Sequence, residues 1–220
     1  MDTTGITFIL DDNLQIHTYF DLKLLQLADI TISPPSPKRH LITEVLGIDG
    51  QLDATLLFGP VRFENRTITA PFEGQDQNYD EWCEVCSRTE NALHGRHAQI
   101  ILDIDPDWYW DGFVTVTPTK EAIVYSEMEI CMDVFPYKLW RQEYLMKAAV
   151  ADSQLTLKND RMPVCPVIVS DADLQVTVNG NTYSLTEGRN EPEFELTEGE
   201  NVLEFTGSGN VEISWRGGSL

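Results

Sequence analysis

Apolar and polar residues alternate over short stretches along most of the chain, which is the period of strands that bury one face. Such stretches predict strands at residues 5–10, 53–58 and 66–72, and the Asp-Gly pair at 49–50 predicts a turn at 47–50. Further strands are predicted at about 99–104, 108–117 and 122–134. The pattern therefore predicts a mainly β protein.

One stretch, about residues 79–93, instead carries apolar residues at steps of three and four, which predicts a helix with one apolar face. Asn78 can cap its first turn, and Glu81 completes the pattern of a capping box. Gly95 stands where a helix commonly ends in a left-handed residue. We expect one helix beside the strands of the first half.

The pattern becomes entirely β from about residue 154, where short strands recur with polar turns between them, at the spacing of about 8–12 residues that is typical of a sandwich. The predicted strands include residues 194–196, 201–205 and 211–215. Asn179 and Gly180 form the strongest of the turn signals. Residues 138–151 are mixed and give no clear period. We therefore predict two domains, 1–140 and 141–220, the second a small β-sandwich.

Charge narrows the possible partners, because the 220 residues carry 36 Asp and Glu against 15 Lys and Arg, a formal net charge of −21. Direct binding to nucleic acid needs clustered cations, so it is not expected. The sequence has neither a membrane-spanning apolar run nor a signal peptide, which predicts synthesis in the cytosol and no membrane partner. Four cysteines in such a chain are expected to be reduced.

Candidate metal and redox motifs are incomplete. Cys83 and Cys86 form a lone CxxC on the apolar helix face, where core packing explains them. His94 and His97 flank a helix end and lack the glutamate of a zinc helix, which favours capping or surface positions. We expect no metal and no cofactor.

Catalytic motifs are also missing from the sequence. Asp103, Asp105 and Asp107 resemble the start of a calcium loop, but the glycine and glutamate that such a loop needs further on are not there. The chain has no nucleophile elbow, P-loop or dinucleotide fingerprint, so we expect no enzyme. A weak calcium site and an enzyme acting through these three aspartates remain as alternatives.

An aromatic cluster gives the one candidate contact site. Trp108 and Trp110 share a strand face, with Tyr109 on the opposite face. Such a pair can stack on sugars, and it can equally be buried in a core or a subunit interface. We keep Trp108 and Trp110 as candidates for carbohydrate or interface contact.

Several short motifs then follow one another in an order typical of one family. They are Gly47-Ile48-Asp49-Gly50-Gln51-Leu52-Asp53, Asn65-Arg66, Asn91-Ala92-Leu93-His94-Gly95, Trp108-Tyr109-Trp110-Asp111-Gly112, Pro136-Tyr137-Lys138 and Asn159-Asp160-Arg161-Met162-Pro163. The set resembles the distal tail protein (Dit) family of long-tailed siphophages, found in phages and prophages of Gram-positive bacteria. At this length the chain resembles the short form, without an inserted carbohydrate-binding module.

The resemblance implies a β-barrel-like N-terminal domain with one flanking helix and a galectin-like C-terminal β-sandwich. It implies a virion protein, made in the host cytoplasm, that forms a hexameric ring at the tail tip. Its implied partners are the major tail protein, the tail-associated lysin or tip protein, and receptor-binding proteins. DNA would pass through the ring lumen without specific binding. The alternative is a carbohydrate-binding module that contacts the host wall through Trp108, Trp110 or Trp215.

Overall fold

The computed structural model describes residues 5–26, 28–38, 42–44, 47, 49, 51–53, 60–74, 78–119 and 127–220. The chain folds into two compact units, Met1–Pro136 and Tyr137–Leu220. Strands dominate both units, and one α-helix occurs in the described residues. The predicted fold class, mainly β with a single helix in the first half, is confirmed.

The elements of the first unit are β1 (Ile6–Leu10), β2 (Gln15–His17), β3 (Leu24–Gln26), β4 (Thr31–Ile32), β5 (Ile42–Glu44), β6 (Gln51–Asp53), β7 (Arg66–Gly74), α1 (Tyr79–Leu93), β8 (His97–Leu102), β9 (Trp108–Pro118) and β10 (Glu127–Val134). The unit is built on one antiparallel sheet, in the strand order β2-β1-β8-β9-β10-β7-β3, with β4 also paired to β7. A separate two-stranded sheet joins β5 to β6.

The core of this unit lies between one face of the sheet and α1. Alternate residues of β7, β9 and β10 are buried, as their period predicts. The helix adds the buried side chains of Trp82, Cys86 and Leu93 to the same hydrophobic cluster. The helix and the sheet are therefore held together because each buries its apolar surface against the other.

The predicted capping box fixes where the helix begins. Asn78 Oδ1 accepts the backbone N–H of Glu81 at 3.0 Å, and Glu81 Oε2 accepts the N–H of Asn78 at 3.3 Å. The helix ends at Leu93, and Gly95 follows with a φ of +72°. The chain then turns into β8, so the end of the helix sets the path from helix to sheet.

The second unit is a sandwich of two four-stranded antiparallel sheets around one hydrophobic cluster. Its elements are β11 (Lys138–Trp140), β12 (Tyr144–Ala151), β13 (Gln154–Asn159), β14 (Val167–Ser170), β15 (Leu174–Val178), β16 (Asn181–Leu185), β17 (Gly188–Asn190), β18 (Gly199–Thr206), β19 (Ser208–Trp215) and β20 (Gly218–Ser219). The sheet orders are β12-β19-β14-β17 and β13-β18-β15-β16, and β11 pairs with β20. That the sandwich is galectin-like stays a prediction.

The turn predicted at Asn179 and Gly180 joins β15 to β16. Val178 pairs with Asn181, so the loop has two residues, and both have positive φ, 50° and 81°. This is the backbone that an Asn-Gly hairpin favours, because glycine adopts positive φ without a steric penalty.

Some predictions differ from the structure or lie outside its described residues. Strands β2, β11, β12 and β17 are among those that the sequence did not predict, and residues 194–196 contribute only a single bridge, from Leu196 to Val164. The turn predicted at 47–50, the strand at 53–58 and the start of the strand at 122–134 lie partly outside the described residues. The two units divide near the predicted boundary, and a separate role for each domain stays a prediction.

Candidate functional site

The structure places Trp110 in the core of the first unit. Trp110 is 5% exposed, and the guanidinium carbon of Arg66 lies 5.0 Å from its ring centroid. Arg66 is itself buried, and its Nε donates to the carbonyl oxygen of Ser33 at 2.7 Å. Burial lowers the pKa of Arg66 from its ordinary value, while the aromatic face and the carbonyl favour its charged form.

Trp108 is half-buried at the beginning of β9, and Tyr109 is buried. Tyr109 and Trp110 are both buried, so both faces of the strand are covered where β9 begins. Trp108 thus presents more surface in the single chain than Trp110 does. Contact of either tryptophan with sugar or with another subunit stays a prediction.

His17 and His94 form hydrogen bonds to residues that are distant in sequence within the first unit. Nε2 of His17 lies 3.1 Å from Oδ2 of Asp103, while Nδ1 of His17 accepts the backbone N–H of Tyr19. Because Nδ1 accepts a hydrogen bond, the ring proton sits on Nε2 and is donated to Asp103. His94 is the C-cap residue of α1, as the sequence suggested, and its Nδ1 accepts the N–H of Val116 on β9 at 3.2 Å.

His97 lies between two carboxylates. Its Nδ1 is 3.5 Å from Asp11, and its Nε2 is 3.4 Å from Asp111. Because the two carboxylates use opposite ring nitrogens, this group is not arranged around one metal ion. Within the described ranges, no three His, Cys, Asp or Glu side chains are placed to hold a metal.

Of the two cysteines of the CxxC, Cys86 takes the packing role predicted for both. Cys86 is fully buried in the core cluster, and Cys83 is half-buried one turn earlier. Cys131 lies on the outward side of β10, where burial and the neighbouring Glu129 raise the pKa of its thiol. All four cysteines are thiols in the structure.

The outward face of β7, β9 and β10 is acidic and threonine-rich. Cross-strand rows place Thr69, Cys131 and Thr115 in line, and Thr67, Asp133 and Phe113 in the next line. The remaining outward residues on these strands include Glu73, Asp111, Glu127 and Glu129. No lysine or arginine points outward from these three strands, which gives this face a uniformly negative charge.

A shallow groove on the second unit was not found from the sequence. It has a volume of about 480 Å³ and crosses the outward side of β12, β19 and β14. Ala149, Val169 and Asn210 are among its lining residues. Residues 138–151 show no clear alternation, so the sequence did not predict β12, the strand that forms one wall of this groove.

Comparison with known proteins finds a similarity of fold. No family model matches the chain, and no curated protein matches its sequence. No helix in the described part of the chain is long and apolar enough to cross a membrane. The fold is similar to the crystal structure of the SPP1 Dit protein (gp 19.1), described as a paradigm of the hub adsorption apparatus in phages that infect Gram-positive bacteria.

That likeness spans both units. It has a TM-score of 0.61 and 11% sequence identity, and it covers 97% of this chain and 98% of the SPP1 protein. At such low identity, only the arrangement of the backbone is compared. The chain therefore has a Dit-like fold over nearly its whole length.

Proposed function

We propose that this protein is a structural virion protein that forms a hexameric ring at the distal end of a long, non-contractile phage tail. The observation that carries the proposal is the Dit-like fold over 97% of the chain, with the motifs in family order. Because one fold can serve many functions, the ordered motifs are needed as well as the fold.

The ring would be an adaptor hub. One side would bind the last ring of the major tail protein, and the other would bind the tail-associated lysin or tip protein. Receptor-binding proteins would be attached around it, so contact with the host belongs to those partners. The role is therefore non-catalytic, and the protein is located at the virion tail tip.

The acidic outward face of β7, β9 and β10 suits the wall of a channel for DNA. Six copies of the chain would carry a formal charge of −126, six times −21. Carboxylates on the wall repel the phosphates of passing DNA and keep it from binding. We therefore place this face in the lumen, where DNA passes without specific binding.

Electron microscopy of the purified protein, alone and mixed with its tail partners, tests the proposal. We expect rings with sixfold symmetry and a central channel. A channel wall formed by a surface rich in lysine and arginine would contradict the lumen assignment. Binding of the isolated protein to host cell walls, lost in Trp108→Ala, would instead support a carbohydrate-binding module.

A further inference from the structure

The second unit has one edge strand that is unlike its other three. Strand β12 has eight residues, Tyr144–Ala151, with one charged side chain, Lys147. The edge strands β13, β16 and β17 are shorter, and polar or charged residues fill most of their exposed positions. No second strand in the described part of the chain pairs with β12 on the side away from β19, and we call this side its free edge. We propose that this free edge is a docking site to which another protein adds an extended strand.

Hydrogen bonding shows which backbone groups face this free edge. The N–H of Asp152 donates to the carbonyl of Gly207, in line with the register of Ala151 and Ser208. In an antiparallel pair, hydrogen-bonded residues alternate along each strand. The even-numbered residues of β12 therefore bond to β19, and the odd-numbered residues direct N–H and C=O away from it.

Two further contacts agree with this assignment. The N–H of Ala151 donates to Oγ of Ser153 and not to β19. On the far side of β19, Asn210 accepts from Asp171 of the β14 side, which leaves the odd residues of β19 to face β12. Leu145, Lys147 and Ala149 therefore present three outward N–H and three outward C=O groups.

Side chains along the edge favour an apolar strand. Leu145 is 55% exposed on the outward face, and Met146 and Ala148 remain half-buried at the rim of the core. Natural sheets usually protect an edge with prolines, bulges or several charges. An added strand would cover apolar surface on both faces of β12 and pair its open backbone groups.

The groove beside β12 extends the same site. Lys147 and Ala149 line it on β12, and Val169 lines it on β14. The methyl group of Ala149 is small, so a long apolar side chain on the added strand can lean across it into the groove. This favours a leucine or an aromatic residue opposite Ala149.

The charge of Lys147 indicates which kind of segment can bind at this edge. Lys147 is 66% exposed, and its Nζ lies 2.6 Å from Oε2 of Glu212, which occupies one of its three N–H donors. A carboxylate on the added strand can accept from another of these donors. No edge strand of this unit, β12, β13, β16 or β17, carries an acidic residue. The occupant is therefore an apolar segment of a different protein with one Asp or Glu opposite Lys147, and not this unit of a second copy.

The test uses the full chain and a peptide of matched pattern with fluorescein on its N-terminal amine, fluoresceinyl-Thr-Phe-Val-Glu-Val-Leu-Thr-amide. We expect saturable binding by fluorescence anisotropy and slower hydrogen exchange at the amides of Leu145, Lys147 and Ala149. Ala149→Pro removes an outward N–H that β19 does not use, so the variant should fold and lose binding.

The matched control is Thr156→Pro on β13. The N–H of Phe205 donates to the carbonyl of Ser153, so the register directs the N–H of Thr156 outward in the same way. This variant should keep full binding. Near-ultraviolet circular dichroism and thermal melting confirm that both variants are folded.

If a proline variant fails to fold, a charge-swap variant tests the docking proposal instead. Lys147→Glu should lower the affinity for the glutamate peptide by about tenfold or more. The same variant should bind a peptide that has lysine in place of that glutamate. Absence of binding, or equal binding by wild type and Ala149→Pro, would overturn the proposal. Concentration-dependent dimerisation that Ala149→Pro abolishes would also overturn it, because the occupant would then be a second copy. The inference does not depend on ring formation.

Discussion

Gly112 lies where β9 runs beside β10, at a point without room for a side chain. A Cβ there would be 2.1 Å from the carbonyl oxygen of Asp133 and 2.7 Å from Cα of Val134, both backbone atoms. From the sequence, Gly112 could be recognised only as part of a motif. The reason for a glycine here is its contact with β10, which is distant in sequence. The structure explains it by the close approach of two strands.

Gly112→Ala should lower the free energy of unfolding by about 1–3 kcal/mol, because one of the two strands must move to admit the methyl group. Denaturant unfolding followed by tryptophan fluorescence measures this change. Thr115→Ala, at an exposed position of the same strand, is the control and should change stability by about 0.5 kcal/mol or less. Equal stability of Gly112→Ala and wild type would contradict the packing described here.

The thiols should react with a disulfide reagent at different rates at pH 8. Cys165 is exposed and should react first, and Cys86 is buried and should react only on unfolding. Because the pKa of Cys131 is raised, less of it is thiolate at pH 8, and its slow rate should increase as pH rises further.

Cys165→Ser provides the control for this ordering, since it should remove the fast phase and leave the slow one unchanged. Stopped-flow absorbance resolves the phases. If Cys131 reacted as fast as Cys165 at pH 8, its assigned position beside Glu129 would be wrong.

At the scale of elements, the helix was predictable because its signals are local. Its cap, its apolar period and its end all lie within residues 78–95, and α1 was found with the predicted bounds. Strand β12 was missed because half-buried edge residues and three alanines blur its alternation. The sequence thus predicts elements with local signals and misses those that packing alone selects.

Asn78→Ala should destabilise the protein by about 1 kcal/mol, because it removes the acceptor for the N–H of Glu81. Asn91→Ala, at an exposed position in the last turn of α1, is the matched control and should be neutral or slightly stabilising. Thermal unfolding of both variants compares them. A larger loss for Asn91→Ala than for Asn78→Ala would contradict the capping role.

At the scale of the whole molecule, the order of strands in the sheets could not be read from the sequence. Strand β1 pairs with β8, and β10 lies between β7 and β9, so residues far apart in the chain become neighbours. The residue patterns alone predicted a mainly β protein with one helix, and the resemblance to a known family added the barrel-like and galectin-like form of its two domains. The position of Trp110 beside the buried Arg66 was not predictable either, because it too depends on pairing between distant segments.

Charge on the proposed channel wall can be tested with Glu129→Lys combined with Asp133→Lys. In assembled rings we expect linear duplex DNA to be retained at low salt and released as salt rises, while closed circular DNA stays unbound because it cannot thread the channel. Gel mobility shift compares the two forms of DNA.

Glu193→Lys combined with Glu200→Lys changes the net charge equally on the second unit and serves as the control. It should show no preference for linear over circular DNA. The same absence of preference in the Glu129 and Asp133 variant would place those residues outside the channel.

The ring itself is tested most directly by the mass of the assembly in solution. Light scattering of the protein, alone and co-expressed with its major tail and tip proteins, measures that mass. We expect a particle of about 149 kDa, six times 24.9 kDa, or a larger complex that contains six copies. A strict monomer of 24.9 kDa under both conditions would contradict the proposed hub.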